Sequence, residues 1–248
     1  MSGHSKWSTI KHKKAATDAK RGKVFTRIAK EITIAARSGG GDPETNNALR
    51  LTVSKAKAAN MPKDNIEKAI KRGTGELAGG ELTEMVYEVY AQHGIGLLVE
   101  TVTDNRRRAI AELRHAVNKY GGNMADAGSV AWQFTRKGYI GITGTVDEDE
   151  LFMIAADAGA EDIDFGEITE IFVDLEDFQT VQLALEEAEI TMDEANVIYD
   201  PNNSIELPQN QAMQVMSLIE KIEDLDDVQN VYSTLEVTDE AIAAMEMA

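Results

Sequence analysis

The sequence predicts an α+β protein, with a helical N-terminal domain followed by two small α/β domains, one inserted in the other. Three observations predict it. Up to about residue 75 the apolar residues recur only at helical spacing. Beyond residue 81, short β-rich runs alternate with amphipathic segments. One stretch, 137–204, holds a complete strand and helix succession, while the segments on either side of it complete each other.

The first helix is expected from about Ala15 to Arg37, where Val24, Phe25, Ile28, Ala29, Ile32, Ala35 and Ala36 fall on one side. Gly39-Gly40-Gly41-Asp42-Pro43 breaks it. A second helix runs from about Asn47 to Ala59 with Leu49, Val53 and Ala56 inward. Pro62 suits the first turn of a third helix, Asp64 complements its N-terminal dipole, and Lys71-Arg72-Gly73 closes it. Residues 73–80 (GTGELAGG) read as a linker.

Met85–Tyr90 and Ile95–Thr103 read as strands, Arg106–Tyr120 as a helix stopped by Gly121-Gly122, and Ser129–Phe134 as a further strand. From Lys137 the order is strand Tyr139–Thr143, helix Asp147–Ala158, strands Asp162–Phe165 and Glu170–Val173, helix Phe178–Ala188 and strand Glu194–Tyr199. That βαββαβ order is the ferredoxin-like split motif. A last helix (Gln209–Ile222) and strand (Val228–Leu235) are too few for a domain of their own. The expected division is therefore 1–75, a basic helical domain; 76–136 with 205–240, a ferredoxin-like domain; and 137–204, an acidic ferredoxin-like domain inserted in it.

Charge is segregated along the chain. The formal net charge is −18, yet residues 1–75 carry 17 Lys and Arg against 6 Asp and Glu, while the remaining 173 carry 8 against 37. Such asymmetry speaks to partners in a way the overall charge does not. One end is composed to meet an anion, and the acidic remainder either points away from phosphate or recruits a basic protein partner.

Several function classes fall away. Cysteine is absent, which removes disulfides, thiol catalysis and Cys-based zinc sites. His4, His12, His93 and His115 share no metal-binding spacing, and the glycine runs match neither the Walker nor the dinucleotide pattern. Asp200, Asn202 and Ser204 begin like a calcium loop that lacks its Gly and closing Glu. No catalytic constellation stands out, so no enzyme activity and no cofactor or metal are expected. No apolar run approaches the roughly 18 residues of a membrane span, and the polar, basic N-terminus lacks a signal-peptide core. The expected location is the cytoplasm.

Two groups of residues point to nucleic acid. Lys20, Lys23, Arg27, Lys30 and Arg37 lie on the side of the first helix opposite its apolar face, with Arg21 off the stripe and almost no acid among them. The arm before it adds Lys6, Trp7, Lys11, His12, Lys13 and Lys14. Farther on, Thr103-Asp104-Asn105 caps a helix whose first turn is Arg106-Arg107-Arg108. Three cations at the positive end of a helix oppose its dipole, and a helix N-terminus beside arginines forms an anion site.

The chain resembles the YebC/PmpR family, whose mitochondrial relatives include the translational activator of cytochrome c oxidase. The resemblance is carried by Gly3–Trp7 (GHSKW), Lys11–Arg27, Gly39–Pro43, Thr103–Arg108, Gly121–Asn123, Gly128–Phe134 (GSVAWQF) and Gly159–Asp162 (GAED). It departs at Tyr87–Gly96, where Val89 stands at the family's usual glycine. The resemblance implies three domains, a helical one and two α/β ones, and a regulator of gene expression. For bacterial members that regulator is a DNA-binding transcriptional one, whereas other members resemble ribosome-associated translation factors. The ligand is accordingly expected to be double-stranded DNA, or alternatively ribosomal RNA on the ribosome.

Overall fold

The computed structural model describes residues 18–78, 80–166, 168–238 and 241, with backbone alone for 18–21. Among the described residues three helices come first: α1 (Asp18–Gly39), α2 (Asn47–Ala58) and α3 (Lys63–Gly73). Asn46 starts α2 by accepting a hydrogen bond from the Leu49 N–H, which satisfies one of the orphan donors of its first turn. Pro62 sits just before α3, where its fixed φ is tolerated and no N–H is missed.

The strands and helices that follow are β1 (Thr83–Tyr90), β2 (Gly96–Thr103), α4 (Arg106–Lys119), β3 (Asn123–Met124), β4 (Phe134–Thr143), α5 (Glu148–Asp157), β5 (Ala160–Asp164), β6 (Ile168–Val173), α6 (Phe178–Glu187), β7 (Glu194–Pro201), α7 (Gln209–Glu223) and β8 (Val228–Ser233). They build two four-stranded sheets, ordered β3-β1-β2-β8 and β5-β6-β4-β7. The second sheet with α5 and α6 is the βαββαβ motif read from the sequence. The first sheet has the same spatial arrangement in a different chain order. β2, α4, β3, α7 and β8 correspond to β4, α5, β5, α6 and β7, and β1, which precedes them all, takes the place that β6 holds in the second sheet. The C-terminal strand β8 completes this sheet by pairing with β2.

The described residues form two compact units. One holds α1 up to Lys30, Ala78–Thr135 and the chain from Asp200 onward; the other holds Glu31–Leu77 and Arg136–Tyr199. In the first unit, Val89, Leu97 and Val99 of the sheet pack against Leu113 and Val117 of α4 and against Val215, Leu218 and Ile222 of α7, all essentially buried. In the second, Ile140, Ile171 and Val173 meet Leu151 and Ala155 of α5 and Val181 and Leu185 of α6, with Leu51 of α2 packed against them. Asn47 donates to Gln182, and Arg50 pairs with Glu186, so α2 is tied to α6. Gly73 ends α3 where the chain passes α1: a Cβ there would come within 2.4 Å of the Thr33 carbonyl oxygen.

One expected element is absent. Residues 129–133 are not a strand: Ala131–Gln133 forms a single 3-10 turn, and the strand begins only at Phe134. The alternation of Ser129, Val130, Ala131, Trp132 and Gln133 imitates a strand, but the backbone N–H groups of Gly128, Val130 and Ala131 go to the carboxylate of Glu88 rather than to a neighbouring strand.

Candidate nucleic-acid interface

The cationic stripe of α1 meets the C-terminal end of α7. The last carbonyls of a helix lack intrahelical partners and carry the negative end of its dipole, so cations and donors are favoured there. Lys23 Nζ donates to the carbonyl of Asp224 at 2.7 Å, with the Asp224 carboxylate 3.7 Å away. Arg27 Nη2 donates to the carbonyl of Glu223 at 2.9 Å. Lys30, one turn on, donates at 2.8 Å to each of the Val102 carbonyl, the Asp226 carbonyl and Asp227 Oδ1. An ammonium group has three protons, and all three of Lys30 are engaged. Its side chain is 13% exposed. Of the residues set against external phosphate by the sequence, Lys23, Arg27 and Lys30 therefore hold the chain's own backbone and carboxylate. Arg37 is exposed in the last turn of α1. Lys6, Trp7, Lys11, His12, Lys13 and Lys14 lie outside the described residues, and for Lys20 and Arg21 the backbone alone places them on α1.

Asp227 is the point where α1, β2 and α4 converge. Its side chain is 5% exposed and accepts from Lys30, from Thr103 Oγ1 at 2.9 Å and from Arg108 Nη2 at 2.9 Å. Burial alone would raise its carboxyl; hydrogen bonds from Lys30, Arg108 and Thr103 outweigh that and hold it below the usual carboxylate range. Arg108 also pairs with Asp104 at 2.9 Å. The third arginine of the 106–108 run is thus a structural ion pair. Its placement at a helix N-terminus is compensated by two carboxylates, while Asn105 caps the helix by accepting from the Arg108 N–H.

Arg106 and Arg107 remain exposed, and the structure adds to them. Arg114, His115 and Lys119 are also exposed on α4, and Arg114, His115, Asn118 and Lys119 line a shallow depression beside Ala111. Arg107, Ala111, Arg114 and Asn118 recur at helical spacing along one stripe. Glu112 is the only acid on this helix. The outer face of α4 thus carries three permanent cations, Arg107, Arg114 and Lys119, and a histidine, with Arg106 exposed at the helix start, in a chain that is otherwise acidic beyond residue 75. Arg114 and Lys119 were not singled out from the sequence, although the seven-residue step from Arg107 to Arg114 was available as a signal.

Two family signatures match the chain: "TACO1/YebC protein N-terminal domain" over residues 5–76 and "TACO1/YebC second and third domain" over residues 82–235. The chain belongs to the TACO1/YebC family. Relatives named "Probable transcriptional regulatory protein" include one from Desulfatibacillum aliphaticivorans, 51% identical over 98% of this chain and 99% of its own length. Another, from Acidithiobacillus ferrooxidans, is 51% identical over 99% of both. Among solved structures, a conserved hypothetical protein from Aquifex aeolicus superposes with a TM-score of 0.82 at 40% identity, covering 91% of this chain and 94% of the other. The names of these relatives are regulatory rather than enzymatic. Among the described residues no cluster of three His, Asp or Glu could hold a metal ion, and no helix is long and apolar enough to cross a membrane.

Tyr87–Tyr90, where the chain departs from the family pattern, and Gly128–Phe134, which matches it, meet on the sheet face opposite α4 and α7. Glu88 accepts the N–H groups of Gly128 (2.5 Å), Val130 (2.6 Å) and Ala131 (2.9 Å). Burial pushes this carboxyl up, but the three backbone donors outweigh it and leave it lowered. Tyr90 Oη donates to the Ser129 carbonyl at 2.7 Å, and Trp132 Nε1 donates to that same oxygen at 2.9 Å. Gly96 lets the loop lie against β2, since a Cβ there would stand 2.7 Å from Val130 Cγ1. Val89, at the family's usual glycine, points the other way and is fully buried in the core under α4 and α7, so the departure is a packing residue and leaves the loop clamp intact.

Proposed function

We propose that this chain is a non-catalytic, cytoplasmic, nucleic-acid-binding regulator of gene expression, a DNA-binding transcriptional regulator of the kind its relatives' names describe. The observation that carries the reading is α4, where Arg106 at the helix start and Arg107, Arg114 and Lys119 on the outer face stand exposed against one acid. Cations free of protein carboxylates can neutralise phosphates and release their counterions. In this reading the N-terminal arm (Lys6, Trp7, Lys11, His12, Lys13 and Lys14) with Lys20, Arg21 and Arg37 extends the contact.

The organisation that goes with it is a basic helical segment, 1–75, an α/β domain of 76–136 with 205–240, and an acidic domain, 137–204, inserted in it. Phosphate repels that acidic domain, which has no Lys or Arg after Lys137. Its exposed Phe152, Met153 and Leu183, set among acids, suit a basic protein partner.

The test is a titration of duplex DNA against salt. Reversal of two charges, Arg107→Glu with Arg114→Glu, is expected to weaken binding across sequences and to lower the slope of log affinity against log salt by about 2. An unchanged slope removes α4 from the interface. A second reading, a ribosome-associated translation factor that binds ribosomal RNA, is favoured by the exposed Trp132, because irregular RNA presents unstacked bases and duplex DNA does not. Competition between a promoter-length duplex and intact ribosomes at about 0.15 M salt separates the two, with preferential cosedimentation on ribosomes deciding for RNA.

A further inference from the structure

We infer that Trp132 and Tyr90 form a preorganised platform on which an unpaired nucleobase stacks. This inference rests on the nucleic-acid reading above and names a ligand for a surface that the cationic face does not include. Trp132 is 71% exposed and Tyr90 39%. A tryptophan left in water usually sits on a pliant segment; this one does not. Its loop is held by the three N–H bonds to Glu88 and by Asn202, whose N–H donates to the Gln133 carbonyl at 2.8 Å and whose Nδ2 donates to the Trp132 carbonyl at 3.1 Å. Thr135 Oγ1 fixes that amide in turn by donating to Asn202 Oδ1 at 2.6 Å. Little conformational freedom is then left to lose when a ligand settles on the ring.

The chemistry of the surface selects the ligand. Both polar tips, the indole N–H and the phenol O–H, donate to the single carbonyl of Ser129, so the rings offer their faces and no free donor. The groups around them, Ser129, Gln133, Thr135 and Asn202, are polar. A protein hot spot needs a packed pocket around the ring to exclude water, and Trp132 is 71% exposed. A nucleobase instead needs a flat aromatic surface with amide and hydroxyl groups near its edges. Stacked bases of a duplex hide their faces, which makes the ligand an unpaired base. Phosphate contacts for the same strand are at hand: α4 runs through Gly121-Gly122 into β3, and β3 pairs with Val89 and Tyr90, so the Lys119 end of α4 lies at the Tyr90 end of the sheet.

The experiment uses the full chain and compares wild type with Trp132→Ala and Trp132→Phe. The probes are a uridine-rich 12-nucleotide RNA, the DNA strand of the same sequence, and a duplex of equal length. Binding is read by anisotropy, and tryptophan fluorescence is read at saturation. The expected result is quenching by both single strands that is reduced in Trp132→Ala, which retains Trp7 alone. That variant should bind single strands about tenfold more weakly, within the range of one base–aromatic stack, with duplex affinity and thermal melting unchanged. Trp132→Phe is expected to recover part of the loss. Single-strand affinity and quenching that do not differ between wild type and Trp132→Ala overturn the platform, and the reading under Proposed function then stands on α4 alone. Quenching of Trp132 by a proline-rich or apolar peptide but by neither strand overturns it in favour of a protein contact. Absence of all nucleic-acid binding in the wild type overturns both.

Discussion

Two helix faces in the same compact unit carry a similar density of cations and meet opposite fates. Lys23, Arg27 and Lys30 of α1 end on the carbonyls of α7 and on Asp227, whereas Arg106, Arg107, Arg114 and Lys119 of α4 remain exposed. Composition does not separate them. What separates them is a helix C-terminus and a buried carboxylate placed by the fold against one face and not the other. A basic stripe is evidence of an anionic partner, and the partner can be the protein itself. Arg108 shows the division within a single run of three, because it turns inward to Asp227 while its two neighbours stay in solvent.

The largest expected effect that tests this contrast comes from Asp227→Ala. Removing the shared acceptor leaves Lys30 without its carboxylate in a site that is 13% exposed, and breaking such a buried pair costs about 3–5 kcal/mol. Urea unfolding measures it, and a loss under about 1 kcal/mol, the worth of a surface pair, would mean that the α1 face is not structurally committed. Next in size is the response to acid. The Asp227 carboxyl is lowered in the folded chain, so its contribution is complete above the ordinary carboxyl value of about 3.9 and drains away as pH falls through the folded value. The stability gap between wild type and Asp227→Asn should therefore narrow on acidification below about pH 4; a gap that widens reverses the sign. On the other face, Arg107→Glu with Arg114→Glu is expected to leave stability within about 0.5 kcal/mol while it weakens binding. The smallest effect belongs to Lys23→Ala, whose pair with Asp224 is half exposed on both sides; a loss of about 0–1 kcal/mol, with no change in duplex affinity, is expected.

Much of the fold could be read along the chain because its signals are local. Asn46, Asn105 and Asp147 cap helices whose apolar spacing already marked them, and the order of elements in 137–204 announced its sheet. The failures share one cause, a partner distant in sequence. Ser129–Phe134 alternates like a strand, yet the N–H groups of Val130 and Ala131 go to Glu88, about 40 residues earlier. Lys30 looked like a phosphate contact because Asp227 lies 197 positions away. The first sheet's permuted order was hidden for the same reason, since β1 precedes the strand that begins the motif. Arg114 and Lys119 are a different case: the seven-residue step from Arg107 to Arg114 is local, but the exposure of both side chains follows from how α4 packs on its sheet.

The seat of α1 on residues 223–227 also imposes an order on the birth of the molecule. The two partners are separated by about 200 positions, and at roughly 5–20 residues per second a ribosome needs on the order of 10–40 s to pass from one to the other. Throughout that interval the first helix has been made and the end that neutralises it has not. Lys23, Arg27 and Lys30 precede their acceptors throughout it, and the seat can form only once residues 223–227 have been made.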